Sequence, residues 1–97
     1  MAKVKLRPKA RSDLEDIWLY GVQRWGLDQA DDYLKNLDET FQLLSCNPLM
    51  AKEIQDFEPP VRIHPHASHI IIYETKSTYV SVIRVLHKSM MLSRHID

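Results

Sequence analysis

The amino-acid sequence predicts an α+β fold in the order βααβββ, in which a helical hairpin packs on a mostly antiparallel sheet. Two long segments in the first half carry apolar residues at helical spacing and are separated by a very short link. Three shorter segments in the second half are rich in isoleucine and valine, and the short links between them favour antiparallel hairpins. A chain of 97 residues supports a single core, so residues 1–97 are expected to form one domain.

The first strand and the first helix are predicted to follow each other directly. In Lys3–Arg7, apolar residues alternate with charged ones, which is typical of an edge strand. Pro8 can begin a helix, because the N–H group that proline lacks would have no partner in the first helical turn. Gly26 is predicted to end this helix. Its apolar face consists of Ala10, Leu14, Ile17, Trp18, Val22 and Trp25.

The second helix is expected to have Asp28 as its N-cap, because a carboxylate accepts hydrogen bonds from the free N–H groups of the first turn. Asn47 and Pro48 are expected to end it, since proline cannot continue a helix. The link between the helices is so short that they must form an antiparallel hairpin. The apolar face of the second helix consists of Ala30, Tyr33, Leu34, Leu37, Phe41 and Leu44.

The second half is predicted to contain a loop, three strands and a short C-terminal helical segment. Leu49–Pro60 has no periodicity and ends in two consecutive prolines, which indicates a loop. The predicted strands are Val61–His64, His69–Thr75 and Tyr79–His87. Pro65 is assigned to the link after the first of these strands, and Met90–Ile96 to the helical segment.

Both faces of the predicted sheet carry apolar side chains. The middle strand contains three consecutive isoleucines, Ile70–Ile72, whose side chains must point to both sides. In the last strand, strict alternation assigns Val80 and Val82 to one face and Ile83 and Val85 to the other. Two helices can cover only one face, so the second face is expected to be covered by residues 90–92 and by a segment of a partner protein.

The charge of the chain disfavours a general nucleic-acid-binding protein. Thirteen Lys and Arg residues balance thirteen Asp and Glu residues, so the formal net charge is zero. Binding to phosphates depends on a net basic surface, because the release of counterions supplies most of the affinity. We therefore expect no direct binding of nucleic acid by this chain alone.

The sequence predicts neither a metal centre nor a cofactor site. His64, His66 and His69 lie close together, but no cysteine or paired carboxylate completes a set of metal ligands. The single cysteine, Cys46, cannot form an intramolecular disulfide, and no apolar stretch is long enough for a signal peptide or a membrane span. These features favour a cytoplasmic protein.

An ordered set of short motifs resembles the RelE/ParE toxin superfamily and, within it, the ParE toxins. These motifs are Ala10, Asp13, Leu14 and Ile17; Trp25-Gly26; Ala30 with Tyr33-Leu34; Asn47-Pro48; Arg62; His69–Tyr73; Ile83–His87; and Arg94-His95. They extend over nearly the whole chain. Two segments depart from the family pattern: Ala51–Glu58 lacks the usual glycine and arginine, and Lys88-Ser89 stands in place of Gly-Arg.

This resemblance implies the toxin component of a type II toxin–antitoxin module, held silent by a cognate antitoxin. ParE toxins typically poison DNA gyrase without being enzymes, which is the function we expect. The residues that we expect to contact the antitoxin or the target are Arg62, Tyr73, Arg84 and His87 on the uncovered sheet face, and Arg94 in the tail.

The main alternative is cleavage of mRNA on the ribosome, as in RelE toxins. Attack by a ribose hydroxyl would need cations, for which Arg62 and Arg84 are candidates, and an acid or base such as His87. Tyr73 or Glu74 would have an auxiliary role. The zero net charge disfavours this function, because a strongly positive protein binds ribosomal RNA more tightly. A third alternative is a scaffold protein that is no longer toxic.

Overall fold

The computed structural model describes residues 3–89, which form two helices and a five-stranded sheet. The elements are β1 (Val4–Leu6), α1 (Pro8–Trp25), α2 (Leu27–Cys46), β2 (Glu53–Ile54), β3 (Val61–His66), β4 (His69–Thr75) and β5 (Val80–His87). The strand order is β1-β5-β4-β3-β2, and only the pairing of β1 with β5 is parallel. The predicted α+β fold is confirmed. Within residues 3–89, neither helix is long and apolar enough to cross a membrane.

A single residue, Gly26, links the two helices of the hairpin. Its φ of 93° lies in the left-handed region that favours glycine, and its N–H donates to the carbonyl of Val22. The helices approach closely where Gly21 meets Ala30, because a Cβ atom at position 21 would lie 3.2 Å from the Cβ of Ala30. Asp28 is not the N-cap that was predicted: α2 begins at Leu27, which places the carboxylate of Asp28 inside the first turn.

Three boundaries differ from the sequence prediction. The region predicted as a loop contains β2, which pairs with the start of β3. Pro65 lies inside β3, opposite Ile70, rather than in the link. Proline is tolerated there because β2 pairs only with Val61 and Arg62, so β3 is an edge strand at Pro65. The last strand begins one residue later than predicted, at Val80.

Apolar side chains form a core on each face of the sheet, as predicted. The larger core, between the sheet and the helices, contains Ala10, Leu37, Phe41, Leu44, Ala51, Ile71, Tyr73, Val80, Val82 and Val85. The second core contains Val61, Ile72, Ile83 and Leu86, with Ile54, Phe57, Ile63 and Ile70 packed against it. Part of its cover comes from the segment around Phe57. Residues 90–92, which were predicted to cover this face, lie outside the described residues. The same holds for the predicted helical segment Met90–Ile96.

A β-bulge in β5 changes which side chains face the helices. The pairing of β4 with β5 shifts between Ile72 and Tyr73, whose partners are Arg84 and Val82. One residue of β5 is left without a direct partner, so the alternation moves by one position. Val85 therefore lies in the core on the helix side, and its assignment to the second face is wrong.

The carboxylate of Asp13 joins α1 to β5. Its two oxygens accept hydrogen bonds from Nε and Nη2 of Arg84, both at 2.8 Å. One of these oxygens also accepts the backbone N–H of Val85 at 3.0 Å. Because β1 ends at Leu6, opposite Val82, no strand among residues 3–89 pairs with the edge of β5 beyond that point. Asp13 provides the acceptor that a strand would otherwise supply.

We expect the substitution Asp13→Ala to lower the free energy of unfolding by about 3 kcal/mol, because it removes two hydrogen bonds to a largely buried guanidinium and the side-chain acceptor of the Val85 N–H. Urea unfolding monitored by circular dichroism measures this change. Glu15→Ala, an exposed substitution on the same helix, is the control and should change the value by less than about 0.5 kcal/mol. Equal effects of the two substitutions would contradict the role of Asp13.

Candidate functional site

Arg62 and Tyr73 hold the segment after α2 against the sheet. The two residues are opposite each other in β3 and β4. Arg62 Nη1 donates to the carbonyl of Ala51 at 2.6 Å, and the Tyr73 hydroxyl donates to the carbonyl of Pro48 at 3.0 Å. Tyr73 has no exposed surface, and burial raises the pKa of its phenol. Both side chains therefore bind the protein's own backbone on the helix side of the sheet.

Arg84 is likewise directed to α1 through its two bonds to Asp13. The prediction that Arg62, Tyr73 and His87 lie on the uncovered face is wrong. Tyr73 belongs to the core on the helix side and Arg62 is opposite it. His87 follows Val85 of the same core and pairs with His69, next to Tyr33 of α2. Arg84 instead pairs with Ile72 of the second core, while its guanidinium bonds to α1. Whether they contribute to contacts with a partner stays a prediction, and Arg94 lies outside the described residues.

Three histidines form a row across the end of the sheet. His66 of β3 pairs with His69 of β4, and His69 pairs with His87 of β5, so the three residues lie side by side on adjacent strands. The rings of His69 and His87 are 5.5 Å apart in an edge-to-face arrangement. Tyr33 of α2 lies over this row, with ring-centre distances of 5.6 Å to His66 and 5.5 Å to His69.

The sequence analysis did not identify this histidine row. It considered His64, His66 and His69 together as neighbours along the chain, whereas the structure brings His87 to His69 across the strands. The signal that could have found the row is the short turn after His66, which places that residue opposite His69. Within residues 3–89, no group of three or more His, Cys, Asp or Glu residues is arranged to hold a metal ion.

Hydrogen bonds hold two of these histidines. The Thr40 hydroxyl donates to the carbonyl of Asn36 at 3.1 Å and lies 3.0 Å from Nδ1 of His66, within hydrogen-bond distance. The backbone N–H of Ser89 donates to Nδ1 of His87 at 3.1 Å. The histidine row is therefore held from α2 and from the residues after β5.

Burial determines the protonation of the row. It lowers the pKa of His69, and the positive charges of His87 and His66 lower it further when those rings are protonated. Burial also lowers the pKa of His66, with a smaller contribution from His64. The Tyr33 hydroxyl, 2.6 Å from Nδ1 of His69, has a pKa raised by burial. At neutral pH the inner part of the row is thus uncharged.

Two pockets lie beside the histidine row and share Trp25 and Tyr33. The larger, with a volume of about 540 Å³, is lined by Asp16, Ile17, Tyr20, Trp25, Tyr33, Ser68, His69, His87 and Ser89. The smaller, of about 260 Å³, is lined by Trp25, Gln29, Asp32, Tyr33 and Asn36. Trp25 is 53% exposed and stacks edge-to-face on Tyr20. This end of the molecule, which we call the Trp25 site, is the candidate functional site.

We expect the free energy of unfolding to fall as the pH is lowered below about 6.5. The pKa of His69 is lower in the folded chain than the ordinary value of 6.5, so the unfolded chain binds more protons in this range. His66 acts in the same direction. Urea unfolding at pH 7.5 and 5.5 measures the change, and His69→Gln should reduce it. An NMR titration that places the His69 pKa above 6.5 would contradict this assignment.

Comparisons with known proteins agree with this fold. A family model described as the ParE toxin of the type II toxin–antitoxin system parDE matches residues 4–92. Toxin ParE1 of Caulobacter vibrioides is 35% identical over 96 residues, which cover 99% of each chain. Toxin ParE1 of Mycobacterium tuberculosis is 34% identical over 92 residues, which cover 94% of each chain.

A solved structure supports the same architecture. The chain is similar to one described as part of the chromosomal ParDE TA system from P. aeruginosa, with a TM-score of 0.76 and 19% sequence identity. The match covers 90% of this chain and 96% of the other. The sequence comparisons extend over nearly all of the residues that build both cores and the Trp25 site. This chain therefore belongs to the ParE toxin family of type II toxin–antitoxin systems.

Proposed function

We propose that this chain is a cytoplasmic toxin that inhibits DNA gyrase by binding it, without enzymatic activity, and that a cognate antitoxin neutralises it. The observation that carries the proposal is the match to the ParE toxin family over residues 4–92. The relatives align over almost their whole length as well.

The ion pairs of the structure favour binding over RNA cleavage. A nuclease needs cations that are free to stabilise a crowded phosphate. Arg62 and Arg84 are both engaged inside the chain, with the carbonyl of Ala51 and with Asp13. Glu74, the auxiliary group of the alternative function, forms an ion pair with Arg7 and so stabilises the fold.

The second core offers a surface for the antitoxin. Ile54, Phe57, Ile63 and Ile70 are only partly buried and lie together on the face opposite the helices. Such an apolar surface, rimmed by polar groups, is typical of a protein–protein contact. We propose that an antitoxin segment covers this face, in line with the excess of apolar side chains in β4 and β5.

Of the five residues predicted to contact a partner, His87 is the exposed one among the described residues, although it lies on the helix side of the sheet rather than on the uncovered face. Its side chain is exposed at the end of β5 and lines the larger pocket of the Trp25 site. Arg62, Tyr73 and Arg84 are proposed to act indirectly, by holding the strands that carry this surface. We further propose that Arg94, in the tail, contacts the antitoxin or the target.

Induction of this chain alone in a bacterium should change DNA supercoiling and cause double-strand breaks while translation continues. The physical reason is that the proposed toxin stalls gyrase on DNA and does not touch the ribosome. Supercoiling gels, a break-repair reporter and incorporation of labelled amino acids measure the three effects. Rapid cleavage of mRNA without DNA damage would instead establish the RelE-like function, and the absence of any growth effect would favour a scaffold protein.

Purified His87→Ala should inhibit the supercoiling activity of gyrase less strongly than the unaltered chain. We expect the concentration needed for half-inhibition to rise by roughly fivefold or more. The substitution removes an exposed ring whose loss leaves both cores intact. His64→Ala, on β3, is the matched control because it removes an imidazole outside the Trp25 site. If both variants inhibit gyrase as well as the unaltered chain, His87 is not a contact residue.

A further inference from the structure

The helix α2 carries a concentrated negative charge. It contains five acidic residues, Asp28, Asp31, Asp32, Asp38 and Glu39, and only one basic residue, Lys35. The whole chain has a formal net charge of zero, so positive charge is concentrated elsewhere. All five acidic side chains are exposed. This surface therefore attracts cations and repels anionic partners over short distances.

Each pocket of the Trp25 site combines aromatic rings with one carboxylate. Asp16 lines the larger pocket and Asp32 lines the smaller one, while Trp25 and Tyr33 line both. Within residues 3–89, neither Asp16 nor Asp32 forms a salt bridge. A carboxylate next to an aromatic face is the combination that binds an ammonium or guanidinium group, by an ion pair and a cation–π contact.

No lysine or arginine among residues 3–89 lines either pocket. The imidazole of His69 is partly buried, which lowers its pKa and keeps it neutral at pH 7, so it does not repel a cation. A cation–π contact of this kind occurs nearby within the protein, where the guanidinium of Arg24 lies 5.5 Å from the ring centre of Tyr20. Trp25 is 53% exposed beside this pair, so part of its indole is accessible to a partner.

We propose that the Trp25 site binds two cationic side chains, arginine or lysine, of the cognate antitoxin, one in each pocket. This inference rests on the proposed neutralisation by an antitoxin. Charge complementarity indicates that the bound side chains are positively charged. The helix α2 is acidic, the two carboxylates lack ion pairs within the described residues, and the pocket walls are aromatic. The family is defined as part of a toxin–antitoxin system, so the antitoxin is the protein partner to which this site is assigned. An acidic peptide or a nucleic acid would meet like charge here.

The first experiment tests the chemistry with a synthetic peptide on the full chain. The probe is acetyl-Ala-Arg-Ala-Ala-Ala-Arg-Ala-amide, compared with the same peptide in which citrulline replaces both arginines. Citrulline keeps the shape and removes the charge. We expect only the arginine peptide to shift the NMR signals of the Trp25 indole and the Tyr33 ring, and Trp25→Leu to abolish the binding. Equal shifts with citrulline, or shifts confined to other surfaces, would overturn the proposal.

The second experiment tests the source of the cations with the antitoxin that is co-expressed with this chain. The double variant D16N/D32N should bind it roughly tenfold more weakly, which corresponds to the loss of two exposed ion pairs. The double variant D38N/E39Q removes the same charge from residues that line neither pocket, so it should change the affinity by less than about twofold. Calorimetry at moderate salt measures both.

The outcomes separate this inference from the proposed function. Antitoxin binding that D16N/D32N leaves unchanged, or that both double variants weaken equally, overturns the two-cation site and leaves neutralisation by the antitoxin intact. No binding of the antitoxin to the unaltered chain overturns both. A shift of the Trp25 signals by single-stranded RNA or by an acidic peptide would also overturn the assignment, because the site would then accept negative charge.

Discussion

The bond between Asp13 and the last strand is the interaction on which the rest of the arrangement depends. A single carboxylate accepts from the side chain of Arg84 and from the backbone of Val85, at a point of β5 that lies beyond its pairing with β1. It therefore fixes the middle of α1 against the C-terminal half of β5. Without this carboxylate the Val85 N–H would lose its side-chain acceptor and the Arg84 guanidinium would lose two hydrogen bonds, which is costly in an apolar environment.

The position of the Trp25 site follows from that bond. Beyond Asp13, α1 continues over the end of the sheet and carries Asp16, Tyr20 and Trp25 to the region where β5 ends at His87. The turn at Gly26 then returns the chain, so that α2 places Tyr33 over the histidine row. Three separate parts of the sequence thus meet at one end of the molecule, with aromatic, imidazole and carboxylate groups side by side.

The distribution of charge around the Trp25 site supports the proposed binding function over catalysis. The arginines that could act on a phosphate are used to hold the fold, and burial keeps the inner histidines neutral. What remains accessible among residues 3–89 is a set of half-exposed rings beside carboxylates that form no salt bridge within that range. Groups of this kind recognise a partner through shape and charge.

The sequence by itself determined the fold class, the helical hairpin and the presence of apolar side chains on both faces of the sheet. These features are local: they depend on residue spacing, on Gly26 and on the run Ile70–Ile72. Only the tertiary structure decided which side chains share a surface. The bulge in β5 moved Val85 to the helix side, and strand pairing brought His87 to His69 and buried Tyr73. Strand register and bulges arise from contacts between distant segments, so spacing along one strand does not specify them.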